Sequence, residues 1–180
     1  MMWEWNGRNT GEKMEGGESI KNQFYFAYGS NMNLDQMEYR CQAARVVETV
    51  RLEDHRLAFC GRPEGNGVAT IFPEEGSQVE GVLWEITPGC EKSLDGYEGY
   101  PYLYGKQTVR VRNQAGMEMD VMAYVMNAPY KETLSSPSRL YLDGILEGCM
   151  QNGIPEKPVR DAAAWTKKEK KKKRHKDPER

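Results

Sequence analysis

The chain has 180 residues, 38% hydrophobic and 29% charged, with a net charge of −2, which fits one compact domain with polar segments outside its core. No apolar run approaches the ~20 residues needed to cross a membrane, and the opening Met1-Met2-Trp3-Glu4-Trp5-Asn6-Gly7 lacks the basic-then-apolar pattern of a secretory leader, so a cytoplasmic protein is expected. Cys41, Cys60, Cys90 and Cys149 form no Cys-x-x-Cys pair and have only His55 and His175 to join them, so they read as reduced, mostly buried thiols with no metal site.

Residues 1–21 are rich in Gly, Glu and Asn without period and read as a flexible leader. An aromatic strand then runs from Gln23 to Tyr28. Gly29-Ser30-Asn31 breaks it with turn chemistry, and Asn33 with Gln36 can cap a helix starting at Leu34. Leu34, Met37 and Cys41 give that helix an apolar face. A strand, a glycine turn and a helix start aim several N–H groups at one point, which suits a carboxylate or phosphate.

Arg45–Leu52 and Arg56–Cys60 read as two strands turning at Glu53-Asp54-His55. Gly65-Asn66-Gly67 is a turn, followed by strands at Val68–Phe72 and Val79–Ile86. Pro88 and Gly89 break the last of these, and Cys90–Tyr97 can form a short helix. Asp95 and Glu98 sit here among Tyr97, Gly99, Tyr100 and Pro101. A carboxylate desolvated by such neighbours has a raised pKa suited to acid–base chemistry near neutral pH, while the plainer reading makes both residues decoration on a helix end.

Tyr102–Arg112 and Met117–Met126 alternate as two further strands. Tyr124 falls on the face opposite Val121, Ala123 and Val125, where a barrel opens its cavity. Ser136 can cap a helix with Pro137 at its first position, and Leu142, Ile145, Leu146 and Cys149 form its apolar stripe. Asn152-Gly153 ends it. From Glu156 onward 11 Lys and Arg stand against 5 Asp and Glu, leaving the rest of the chain acidic at −8. Residues 159–180 read as a basic, disordered tail, and the body offers no aromatic-basic platform for nucleic acid. The expected division is therefore leader 1–21, domain 22–158 and tail 159–180.

Six to seven strands with only short helices between them imply an α+β fold: a small mixed β-barrel with short flanking helices. The sequence lacks a phosphate-binding P-loop and a dinucleotide fingerprint. Ser30 also lacks the second glycine of G-x-S-x-G.

Tyr28-Gly29-Ser30-Asn31, followed after the middle strands Gly67-Val68-Ala69-Thr70-Ile71 and Val79-Glu80-Gly81-Val82-Leu83-Trp84 by Leu94-Asp95 and Glu98-Gly99, resembles the γ-glutamylcyclotransferase-like family, which includes the AIG2-like proteins. Ala123-Tyr124-Val125-Met126 and Asn152-Gly153-Ile154-Pro155 extend the likeness, which covers Phe24 to Pro155. The resemblance implies the barrel fold and a cofactor-free cyclisation of a γ-glutamyl amine or amino acid to 5-oxoproline, within glutathione-related metabolism. It implies Glu98 as the general acid–base and Tyr28, Gly29, Ser30, Asn31, Tyr104, Tyr124 and Tyr141 as substrate contacts. Tyr102 competes with Tyr104 for its position. The expected partner is a small γ-glutamyl substrate, with no membrane and no nucleic acid, and a homodimer is left open. The alternative is a non-catalytic module binding a small carboxylate on the same fold.

Overall fold

A computed structural model describes residues 21–63 and 65–176. Apart from Lys21, the expected leader, with Trp3 and Trp5, lies outside the described residues. The elements run β1 (Gln23–Ala27), α1 (Leu34–Arg40), β2 (Arg45–Cys60), β3 (Val68–Ile86), α2 (Pro88–Glu98), β4 (Tyr104–Asn113), β5 (Glu118–Met126), α3 (Arg139–Gln151) and α4 (Lys157–Lys176), with single 3-10 turns at Ser30–Met32 and Tyr130–Glu132.

The strands close a barrel in the order β1-β3-β2-β4-β5. All neighbours are antiparallel except β1 and β5, which meet in parallel at Tyr25 and Met122. The fold class is as expected, with five strands in place of six to seven. The turn expected at Glu53-Asp54-His55 is instead an irregularity inside one long strand. The ladder steps from Glu53 opposite Gln78 to His55 opposite Pro73, and Asp54 takes φ 54°. Its carboxylate accepts the Gly76 N–H at 2.9 Å. Two short predicted strands on each side thus join into the long hairpin of β2 and β3.

Phe26, Phe59, Met32, Met37, Leu83, Ile86, Leu94 and Ile145 are wholly buried. Burial of each such side chain contributes about 1.5–3 kcal/mol, so the core draws on the strands, the turn after β1 and three of the helices' faces at once. No helix among the described residues is long and apolar enough to cross a membrane.

The C-terminal segment departs from expectation. Lys157–Lys176 is helical where a disordered tail from residue 159 was expected. Val159, Ala162 and Thr166 are buried, Thr166 Oγ1 accepts the Phe59 N–H at 3.3 Å, and Trp165 stacks under the Arg56 guanidinium at 3.8 Å. Residues 159, 162, 163 and 166 share one helical face. The lysine run masks that period in the sequence.

Candidate active site

Four helix caps set the site's polar residues. Asn33 accepts the Gln36 N–H and starts α1 where the sequence predicts. Thr87 accepts the Cys90 N–H and starts α2 at Pro88. The same helix ends on Gly99 in the left-handed conformation, φ 66°, with its N–H on the Asp95 and Gly96 carbonyls. Glu98 is therefore the last helical residue, held by a cap that glycine adopts without strain. The third helix is capped by Ser138, which accepts the Tyr141 N–H, two residues later than expected at Ser136. The delay has a cause: the carbonyls of Thr133 and Ser136 accept the N–H groups of Gly61 and Gly67, which keeps the chain extended until Pro137.

A cavity of about 480 Å³ opens among these elements. Its wall includes every site residue expected from sequence: Tyr28, Gly29, Ser30, Asn31, Glu98, Tyr104, Tyr124 and Tyr141. Tyr102 lies outside it, 79% exposed, so Tyr104 is the lining tyrosine. Asn31 Nδ2 donates to Glu98 Oε1 at 2.8 Å and to the Tyr25 hydroxyl at 2.9 Å. Trp84 Nε1 donates to the Asn31 carbonyl at 3.0 Å and fixes its backbone.

Burial raises the Glu98 carboxyl to about 7, against a weaker opposing pull from Arg40 and the Asn31 hydrogen bond. Burial, reinforced by the Glu98 charge, likewise holds the phenols of Tyr25 and Tyr28 well above their usual range. Tyr104, Tyr124 and Tyr141 are raised by burial first as well. All five are neutral donors at physiological pH. Tyr28 donates to the Tyr124 carbonyl, and Tyr124 donates to Asp95 at 2.6 Å. Tyr141 accepts the Ala69 N–H at 3.1 Å, which leaves its own proton for a ligand. The cavity thus combines one carboxyl near its midpoint with a set of protonated hydroxyls.

Asp95, weighed beside Glu98 in the sequence, does different work. It pairs with Lys106 and orients Tyr124. Several lining or supporting residues escaped sequence reading: Tyr25, Tyr97, Arg40, Arg62 and Asn66. Tyr25 reads as an ordinary strand aromatic, and Arg40 as an ordinary charge at a helix end.

The cysteine expectation needs correction. Cys41 and Cys90 form a disulfide joining the end of α1 to the first turn of α2, while Cys60 and Cys149 are free and buried. The two partners lie 49 residues apart in a sequence without paired spacing, and only the packing of the two helices brings them together. Among the described residues no cluster of His, Cys, Asp or Glu forms a metal site.

Residues 25–143 match the family described as gamma-glutamyl cyclotransferase, AIG2-like. A gamma-glutamylcyclotransferase of Homo sapiens is 34% identical over 155 residues, covering 82% of this chain and 80% of that protein. Its counterpart in Bos taurus is 34% identical over 151 residues, covering 79% and 77%. A solved structure described as a gamma-glutamyl cyclotransferase superposes with a TM-score of 0.70 at 32% identity, over 79% of this chain and 87% of its own.

Proposed function

The chain belongs to the gamma-glutamyl cyclotransferase, AIG2-like family, and from that premise we propose that it cyclises a γ-glutamyl amino acid to 5-oxoproline, with Glu98 moving the protons. The observation that carries this reading is the contact between Asn31 and Glu98, at 2.8 Å across one cavity wall. The turn that can anchor the glutamyl group and the acid that can act on it lie within reach of one glutamyl chain.

The substrate's own α-amine attacks the γ-carbonyl carbon. The new C–N bond closes the five-membered ring, and the amide C–N bond to the leaving group breaks. Ionised Glu98 accepts a proton from the attacking nitrogen and returns it to the departing one. A carboxyl near 7 is suited to both halves of that exchange. Since the nucleophile belongs to the substrate, the enzyme's task is chiefly to fold it. Donors at Gly29–Asn31 and the hydroxyls of Tyr25 and Tyr141 line the wall where an α-carboxylate can be held. Positioning of this kind can lower a barrier by up to about 7–11 kcal/mol.

The choice of an amino acid as leaving group rests on Arg62. It lines the cavity, it is exposed, and no ion pair engages it among the described residues. The neighbouring loop is braced, since Ser135 Oγ donates to the Pro63 carbonyl at 2.9 Å. A carboxylate on the leaving amine can pair with that guanidinium, and a simple alkylamine cannot.

Incubation with a panel of γ-glutamyl dipeptides and amides, reading 5-oxoproline, tests the proposal. Release by the wild-type chain and its loss in Glu98→Gln are expected. The alternative, a binding module for a small carboxylate, gives ligand-dependent thermal stabilisation without turnover.

A further inference from the structure

Arg40 closes α1 and points its guanidinium at the turn after β1. Its Nη1 donates to Asn31 Oδ1 at 2.5 Å and to Ser30 Oγ at 3.2 Å. Its Nη2 donates to Gln36 Oε1 at 2.7 Å and to the Tyr97 hydroxyl at 2.6 Å. The guanidinium carbon lies 3.6 Å from the centre of the Tyr97 ring. Four hydrogen bonds and a stacked face hold one side chain in one place.

A guanidinium only donates, so the atom facing it must accept. Asn31 is thereby turned with its oxygen toward Arg40 and its NH₂ group the other way, where it donates to Glu98 and Tyr25. A flipped amide would set NH₂ against the guanidinium and oxygen against the Glu98 carboxylate, so that two attractive contacts become two repulsive ones. Trp84 fixes the Asn31 backbone separately, so what Arg40 controls is the side-chain orientation. The Glu98 charge raises the phenols that face it: Tyr25 and Tyr28 from β1 and the residues just past it, Tyr104 on β4, Tyr124 on β5 and Tyr141 on α3. All of these are neutral phenols. Asp95, one turn back on α2, is neutralised by Lys106. Arg40 is the cation that acts on Glu98.

We infer that Arg40 is a positioning residue that locks the Asn31 amide so that it donates to Glu98 and favours that carboxyl's ionised, proton-accepting form. The inference rests on the reading of Glu98 as the acid–base group, and the test separates the two. Carbon-13 NMR of the Glu98 carboxyl, assigned by its disappearance in Glu98→Gln, is titrated in wild type, Arg40→Met and Arg40→Lys. The pH profile of kcat/KM is measured on the same proteins. In Arg40→Met the carboxyl titrates at higher pH and the acid limb of the profile follows it. A shift of one unit gives about tenfold loss below the new midpoint, recovered in alkaline buffer. Arg40→Lys, which keeps the charge without the fork, falls between. An unmoved carboxyl in Arg40→Met overturns the inference, as does an equal loss of activity at every pH. A carboxyl that moves while the profile stays still supports the Arg40–Asn31 hold and overturns Glu98 as the catalytic group. If Arg40→Met does not fold, Arg40→Leu, which likewise has no donor and no charge, replaces it under the same criteria.

Discussion

Tyr104 and Tyr141 hold opposite ends of the same residue. Tyr104 donates to the Ala69 carbonyl, and Tyr141 accepts from the Ala69 N–H at 3.1 Å. A tyrosine at the start of β4 and one in the first turn of α3 thereby clamp the beginning of β3, and the clamp forms part of the cavity wall. The two contacts differ in what is left over. Tyr104 spends its proton on the clamp, whereas Tyr141 keeps its proton for a ligand.

Tyr104→Phe is therefore expected to act on stability. It strips a side-chain donor from a buried carbonyl at Ala69, which costs about 1–3 kcal/mol. Tyr141→Phe orphans the Ala69 N–H and is expected to lose comparable stability, and in addition to lose substrate affinity, which Tyr104→Phe keeps. Urea denaturation together with KM measurements on both variants checks the division. Equal effects of the two on KM would count against it.

Glu98→Gln is expected to reduce kcat at least about 100-fold while leaving the protein folded and, in neutral to alkaline buffer, more stable. The folded carboxyl sits at about 7 against 4.5 for the free group. Between those values the folded state binds more protons than the unfolded one, so wild-type stability falls as pH rises from 4.5 to 7. Glutamine carries no such penalty. The variant should gain about 3 kcal/mol over wild type above the upper value and nothing below the lower one. Denaturation midpoints across that pH range provide the measurement.

The same carboxyl sets the wild-type pH profile. The proton-accepting form is ionised Glu98, so kcat/KM should fall about tenfold per pH unit on the acid side of about 7. A profile flat from pH 5 to 8 would separate the rate from this group.

Arg62→Ala should raise KM for γ-glutamyl-alanine and leave kcat near its wild-type value. It should leave the matched alaninamide substrate unaffected, since a contact remote from the reacting atoms contributes uniform binding. Steady-state kinetics on the two substrates reads the difference directly, and identical losses on both would remove Arg62 from substrate recognition.

Gly67→Ala should destabilise by about 2–4 kcal/mol. A Cβ there would lie 1.9 Å from the Ser135 carbonyl oxygen, which is backbone and cannot rotate away. A denaturation midpoint equal to wild type would show that the loop at 61–67 yields more readily than its hydrogen bonds suggest.

What could be read in the sequence was local. The strand, turn and capped helix from Gln23 to Arg40 are written in neighbouring residues, and Asn33 caps where expected. The neighbours of Asp95 and Glu98 marked both as candidate carboxylates, and only the family resemblance singled out Glu98. The long hairpin was not legible, because Glu53-Asp54-His55 has the polarity of a turn and only the partner strand converts it to a step in the ladder. The last helix was hidden because its lysines outnumber its buried face. Arg40 was hidden for a different reason: its role exists only once Asn31, Tyr97 and Glu98 are brought together from separate elements.

The bond between Cys41 and Cys90 closes a covalent ring of chain, and the entire β2–β3 hairpin hangs from it. For a ring spanning 49 residues, the chain-entropy account assigns about 4 kcal/mol to the constraint on the unfolded chain. The restriction falls on a particular pair of neighbours. The helix ending in Arg40 and the helix ending in Glu98 stay leashed to each other even when the largest strands come apart. A refolding chain therefore begins its search with the two charges of its site already in the same vicinity.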